Sequence, residues 1–231
     1  MSASSGGYFG SRLFAFLSDL AENNHRDWFQ ANKSRYEDDL KDPALRFISD
    51  VGPHLETVSR HIRADPRPVG GSLFRIYRDV RFAKDKSPYK THCGIQFRHK
   101  AGADAHAPGF YLHLEPAGCF VCAGVWSPAG PALQAIRQAI DSSAPSWRKA
   151  TGDAAFRERF ELAGDSLARA PKGFPADHPL LDDLKRKDFY AMAPVSLKEV
   201  GAADFPERFT ALCATATPFM RFLCKAVDAP F

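Results

Sequence analysis

The chain has no apolar run approaching the ~20 residues that a membrane-spanning helix needs, so no membrane partner is expected. Its start, MSASSGGYFGSR, has neither the basic opening nor the apolar stretch of a secretory signal. A cytoplasmic location is the expectation. Both familiar phosphate-cradling loops, G-x-x-x-x-G-K-[ST] and G-x-G-x-x-G, are missing, as is the G-x-S-x-G elbow of serine hydrolases. The GGYFG at 6–10 follows no strand pattern and belongs with a flexible N-terminus, residues 1–8. There is no internal repeat and no long linker. Cysteine is sparse and odd in number, at five, which argues for reduced thiols over a disulfide framework. Cys119 and Cys122 have metal or redox spacing. They fall on an alternating stretch, however, where residues three apart face opposite ways, and are expected to be inert core thiols.

What is present is an ordinary globular composition, 45% hydrophobic and 25% charged over 231 residues, enough to bury a core in one domain, residues 9–231. Helical spacing appears in Leu13, Phe16, Leu17 and Leu20. It recurs after Asn24, taken as a cap, in Phe29, Tyr36 and Leu40. A third stripe, Ile48, Val51, Leu55, Val58 and Ile62, contains Pro53, which is expected to kink or split it. Alternation then takes over at 74–82, 91–98, 109–115 and 119–126, with Glu115-Pro116-Ala117-Gly118 as a tight turn. Helical spacing returns around Leu133, Ile136 and Ile140, around Leu181 and Leu184, and in a last stripe from Phe205 to Leu223. That stripe opens on Asp204-x-x-Glu207 and is bent at Pro218. Helices before and after a run of hairpins predict an α+β fold: an antiparallel sheet over about 74–126 packed with N- and C-terminal helices.

The charge is concentrated. Residues 74–100 hold eight Lys and Arg against two Asp, a surplus of six, so the rest of this +4 chain is net negative by two. With 83–90 as a loop, Phe82 would face Thr91 and Arg81 would face His92. Phe74, Ile76, Val80, Cys93, Ile95 and Phe97 then share an apolar face, while Arg75, Tyr77, Arg81 and His92 share the other. Arg78 is the misfit, requiring a helix carboxylate or a bulge. In the second hairpin Tyr111, His113, Glu115, Phe120, Cys122 and Trp126 lie on one face. Arg, Tyr, His and Trp together are what binding surfaces favour, although exposed strand faces are polar by default and Arg–Asp pairs are common ladder salt bridges.

The stretches LFAFLSDLAENNHRDWFQANKSRYE (13–37), GGSLFRIYRDVRFAKDKSPYKTH (70–92), FYLHLEP (110–116) and PKGFPADHP with KRKDFYAM (171–192) resemble domain of unknown function 2461, a family of bacterial and fungal conserved hypothetical proteins. The resemblance covers essentially the whole chain and implies one intact domain. It implies no reaction, cofactor or catalytic residue. The family's RFSKDK motif has Ala83 in place of its Ser here, which argues against a nucleophile at that position.

These residues lead to three functional expectations. The first is a small anionic, phosphate-bearing ligand held by Arg75, Arg81, Lys86 and Lys90, walled by Tyr77, Tyr111 and Trp126. His92, His113 and Glu115 would then serve acid–base chemistry on a phosphoester. The second is a nucleic-acid-binding module with basic groups on phosphates and aromatics under bases. The third is a scaffold docking an acidic protein. A metal held by His113 and Glu115, with His92 or His178 as third ligand, is the weaker use of the H-x-E pair, and no metal is assigned. Asp177 before Pro179 is expected to cap a helix, and Lys185-Arg186-Lys187 to complement a helix C-terminus. The sequence names no cofactor and no oligomeric state.

Overall fold

Apolar residues every three or four positions make the first third helical. In the computed structural model, which describes residues 7–102 and 107–231, α1 (Ser11–Glu22) buries Leu13, Phe16, Leu17 and Leu20. α2 (Arg26–Ala31) and the single turn α3 (Lys33–Arg35) lead into a π-helical stretch, Tyr36–Lys41, and then α4 (Asp42–Val58). α4 carries Pro53 inside it without ending there. It stops at Ser59, whose backbone is extended, so Ile62 is not on its stripe and instead bridges to His99. Residues 1–6 of the expected flexible terminus lie outside the described residues. Tyr8, at its end, donates its hydroxyl to Asp50 (2.7 Å) and packs edge-on to Phe47.

Three strands follow in the alternating region, β1 (Cys93–Arg98), β2 (Gly109–Leu114) and β3 (Cys119–Val125). After them come α5 (Gly130–Ser142), α6 (Ala144–Gly152), α7 (Ala154–Arg159), β4 (Glu161–Ala163), α8 (Leu181–Leu184) and β5 (Phe189–Val195). α9 (Leu197–Val200), α10 (Phe205–Thr215) and α11 (Thr217–Ala226) complete the chain. The fold is α+β, with a five-stranded antiparallel sheet in the order β1-β2-β3-β5-β4. Leu112 sits between Ile95 and Val121, and His113 between Gly94 and Phe120. One face is therefore wholly apolar. Ile95, Phe97, Phe110, Leu112, Val121, Phe189 and Ala191 are all fully buried, each large one worth roughly 1.5–3 kcal/mol. Against this face lie aromatic side chains of α4 and α10, with Phe209 5.2 Å from Phe97 and 5.6 Å from Phe47 between ring centroids.

The other face is only partly covered, with most of its side chains half-buried and Pro194 exposed. Of the side chains on it (Gln96, Arg98, Tyr111, His113, Phe120, Cys122, Tyr190, Met192 and Pro194) only Cys122 is buried. All five cysteines are free and buried, and burial pushes the Cys122 thiol up to about 12.

Several expectations are corrected. Residues 74–82 do not form a regular strand, and the sheet instead gains β4 and β5 from beyond residue 126. Leu73, just before the segment, bridges to Ile95 of β1, and Tyr77 bridges to Tyr89 ahead of that strand, so Phe82 does not face Thr91. The reason is local. Asp79 accepts the backbone N–H of Arg81, and Asp85 accepts that of Ser87. Such Asx turns draw the backbone out of a ladder. Arg78 finds its carboxylate in Asp85 of the same loop and not in a helix. Asn24 does not cap α2; His25 does. Asp204 ion-pairs with Arg208 and makes no cap, whereas Ser196 and Glu199 form a full capping box. α8 starts after Leu180 with no side-chain cap. Pro218 begins α11, so the last stripe is two helices.

Asn24 has a longer-range task. Its Nδ2 donates to the Tyr89 carbonyl (3.0 Å), and its Oδ1 accepts the Tyr89 N–H (3.0 Å). The Tyr89 ring stacks on Phe29 at 4.1 Å. Together these pin the 78–92 segment to the α1–α2 corner. Asn24→Ala leaves two backbone groups of a buried residue unpaired, and a loss of about 2–3 kcal/mol is expected in urea unfolding. An unchanged midpoint would show that the clamp does not hold the segment.

Candidate functional site

The period of two along β2 places Tyr111, His113 and, just past the strand, Glu115 in one line on the partly covered face. Their polar atoms connect. His113 Nε2 is 3.2 Å from Glu115 Oε2, and Nδ1 is 3.0 Å from the Tyr111 hydroxyl. With the Nε2 proton directed at the carboxylate, Nδ1 accepts the Tyr111 O–H, so the network itself selects the tautomer. The other Glu115 oxygen accepts the Thr91 hydroxyl over a longer 3.4 Å. Gly94 makes room for this line. A Cβ there would sit 2.7 Å from the Tyr111 hydroxyl oxygen.

His92 precedes β1 and leans across the sheet, stacking on His113 with 4.6 Å between ring centroids. Phe120 stacks on the same imidazole at 4.4 Å and 5°. His113 is thus sandwiched between His92 and Phe120 and bonded at both nitrogens. No metal-binding set arises from this. His92 meets His113 ring to ring, His178 is 3.0 Å from Asp141 with its other nitrogen accepting the Leu180 N–H, and among the described residues no group of three His, Cys, Asp or Glu could hold an ion.

Neither His92 ring nitrogen has a hydrogen-bond partner among the described residues. Burial, and next the His113 ring beside it, push its pKa down from 6.5 to about 4. His92 and Thr91 line a cleft of about 510 Å³. Ala21 and Asn24 at the end of α1 line it too, together with Arg78, Asp79, Asp85, Ser87, Tyr89 and Lys90. A second hollow of about 440 Å³, lined by His54, Glu207 and Arg221 among others, lies over α4, α10 and α11 and contains none of the residues that the sequence singles out.

The cations are mostly committed. Arg81 grips Asp79 (2.6 Å), whose carboxyl falls to about 2 under that hydrogen bond. Lys86 Nζ donates to the Val80 carbonyl (2.9 Å), and Lys90 Nζ to the carbonyls of Arg75 (2.6 Å) and Tyr77 (3.2 Å). Burial, then Arg75, lower the Lys90 pKa. The Arg75 guanidinium makes no ion pair or hydrogen bond among the described residues, although its carbonyl accepts from Lys90. Tyr77 is half exposed and packs near Tyr89. Trp126 follows the far end of β3, six residues from Phe120 and so about 20 Å along the strand.

The structure therefore brings together His92, His113, Glu115 and Tyr111, sets Lys90 at the adjoining cleft, and leaves Trp126 apart. Thr91 and Asn24 are the participants that sequence reasoning missed. Alternation put Phe120 on the right face but gave it no role, and its stacking on His113 is added by the structure. Nothing local signals Asn24, whose partner is 65 residues away.

Fold and site together define an α+β protein with a polar, aromatic line on a partly covered sheet face beside a cleft. The chain belongs to the family described as conserved hypothetical protein (DUF2461), which matches residues 12–222. No curated protein and no solved structure matches it significantly.

A depressed imidazole pKa has a consequence for stability. The unfolded chain protonates His92 near 6.5, whereas the folded protein holds it neutral to about 4. The unfolded state therefore binds the proton first, and stability falls as pH drops through that window. His92→Gln should flatten the decline in urea midpoint between those pH values, and the His92 ring signal should not titrate above pH 5 by NMR. A His92 midpoint near 6.5 would contradict the buried, stacked placement.

Proposed function

We propose that the chain binds a small phosphate-bearing anion in the cleft between α1 and the 78–92 segment, and that His92 acts there as a proton acceptor on a phosphoester. The observation that carries this reading is that one cleft is lined by a neutral imidazole with open nitrogens and by two cations, Arg78 and Lys90. Arg81 joins the lining through its ion pair with Asp79, Lys86 belongs to the same segment, and Arg75 lies just before it.

The lining is not cationic as it stands, because Asp79 and Asp85 balance Arg78 and Lys90. That is compatible with anion binding. Exposed ion pairs are worth only ~0–1 kcal/mol, so a phosphate that presents several oxygens to a guanidinium can displace a carboxylate at little cost. In the reaction a water oxygen bonds to phosphorus as its proton passes to His92, and the bond from phosphorus to the ester oxygen breaks. That oxygen takes a proton from solvent water while the His92 imidazolium returns its own to solvent. Behind His92 the Glu115 carboxylate supplies the negative charge that favours the imidazolium as it forms, against burial and the His113 ring, which oppose it.

A thermal-shift screen of nucleotides and sugar phosphates, followed by hydrolysis assays on the compounds that bind, tests the proposal. Binding with turnover is expected, and His92→Gln should retain the shift and lose about 10²-fold or more in rate. Absence of a shift with any phosphate compound would end the reading. A shift without turnover would leave the binding half and remove the chemistry.

A further inference from the structure

Three of the six large apolar side chains that stand exposed among the described residues lie within the nine residues 74–82: Phe74 at 36%, Tyr77 at 50% and Phe82 at 96%. A single exposed hydrophobe needs no explanation. Three aromatics in the most basic segment of the chain do. Arg75 and Arg81 alternate with them, Lys84 follows, and the Arg81 guanidinium lies 5.9 Å from the Phe82 ring centroid.

The backbone beneath is fixed by other cations. Lys86 holds the Val80 carbonyl, Lys90 holds those of Arg75 and Tyr77, and Arg78 joins Asp85 and the Ser87 carbonyl. Both acids of the segment are already engaged, Asp79 by Arg81 and Asp85 by Arg78. Two lysines and Arg78 thus brace the segment, while Arg75 and Lys84 make no ion pair among the described residues. The rings are presented in place, and little ordering cost remains for a ligand that stacks on them.

We propose that residues 74–86 form a ridge that binds single-stranded nucleic acid, with bases stacked on Phe82, Tyr77 and Phe74 and phosphates on Arg75, Arg81 and Lys84. Interleaved rings and cations are what a flexible polyanion with flat bases requires, and stacking makes such binding tolerant of sequence. An anionic membrane would satisfy the same charges, but it calls for apolar side chains that project together. Here Phe74 leans on Tyr111 (6.1 Å) and Tyr77 lies near Phe29 (6.4 Å), so both offer ring surface and only Phe82 projects. The ridge adjoins the cleft, which Arg78, Asp79 and Asp85 line, but Phe74, Tyr77 and Phe82 do not line it, so base stacking does not require the chemistry proposed there.

The test is fluorescence anisotropy with a labelled oligothymidylate of about 12 nucleotides, within the usual site size, at salt between about 50 and 200 mM. Binding that weakens with salt is expected. Phe82→Ala should weaken it about tenfold, in line with the loss of one stacked base, and Phe82→Trp should keep affinity and show quenched indole emission on binding. The double change Arg81→Gln/Lys84→Gln should lower the salt slope by about 1.4, two phosphate contacts at ~0.7 each. Because Phe82 is almost fully exposed, its variants should melt like the parent, which separates binding from folding. Lack of oligonucleotide binding at low salt, or binding indifferent to Phe82→Ala, would overturn the proposal. So would Phe82-dependent attachment to phosphatidylserine vesicles without oligonucleotide binding.

Discussion

Everything placed around the candidate site follows from fully burying a five-stranded antiparallel sheet on one side only. Period-two alternation sends Leu112 and Leu114 into the core, and by the same geometry sends Tyr111, His113 and Glu115 outward in a row. A slip of one residue would exchange the two sets and drive an imidazole and a carboxylate into an aromatic core. The apolar face, packed against Phe47 and Phe209, therefore fixes the polar line more firmly than the line's own hydrogen bonds do.

How much of this was legible depended on the range of the forces involved. The 109–126 hairpin could be read directly, because its alternation is uninterrupted and its turn is closed by Gly118 N–H donating to the Glu115 carbonyl. The same alternation led to a strand at 74–82 that does not exist, because two aspartates compete for the backbone with hydrogen bonds that no hydropathy pattern reports. β5 was missed for the opposite reason. Ala191, Ala193 and Pro194 are poor strand formers by themselves, and they pair because β3 offers a full edge from Cys119 to Val125. The His92–His113–Phe120 stack was half visible, since strand register predicts which residues share a face but not how rings lean along it.

The charge distribution illustrates a different limit. A surplus of six positive charges suggests a surface waiting for an anion. In the folded chain much of that charge is internal scaffolding: ammonium and guanidinium groups closing on carbonyls and carboxylates within their own loop. Formal charge counts the side chains but not their engagements, and only the latter separate bracing residues such as Lys86 from uncommitted ones such as Arg75.

This self-tethering of the 78–90 loop also bears on how the segment can change over time. Arg78 with Asp85 and Arg81 with Asp79 complete one another, while Lys86 and Lys90 close on the backbone carbonyls of Val80, Arg75 and Tyr77. Replacing one member of an ion pair strands its counterpart, but replacing both preserves closure. The two pairs are therefore expected to covary among relatives, whereas the lysines bond groups that any residue supplies.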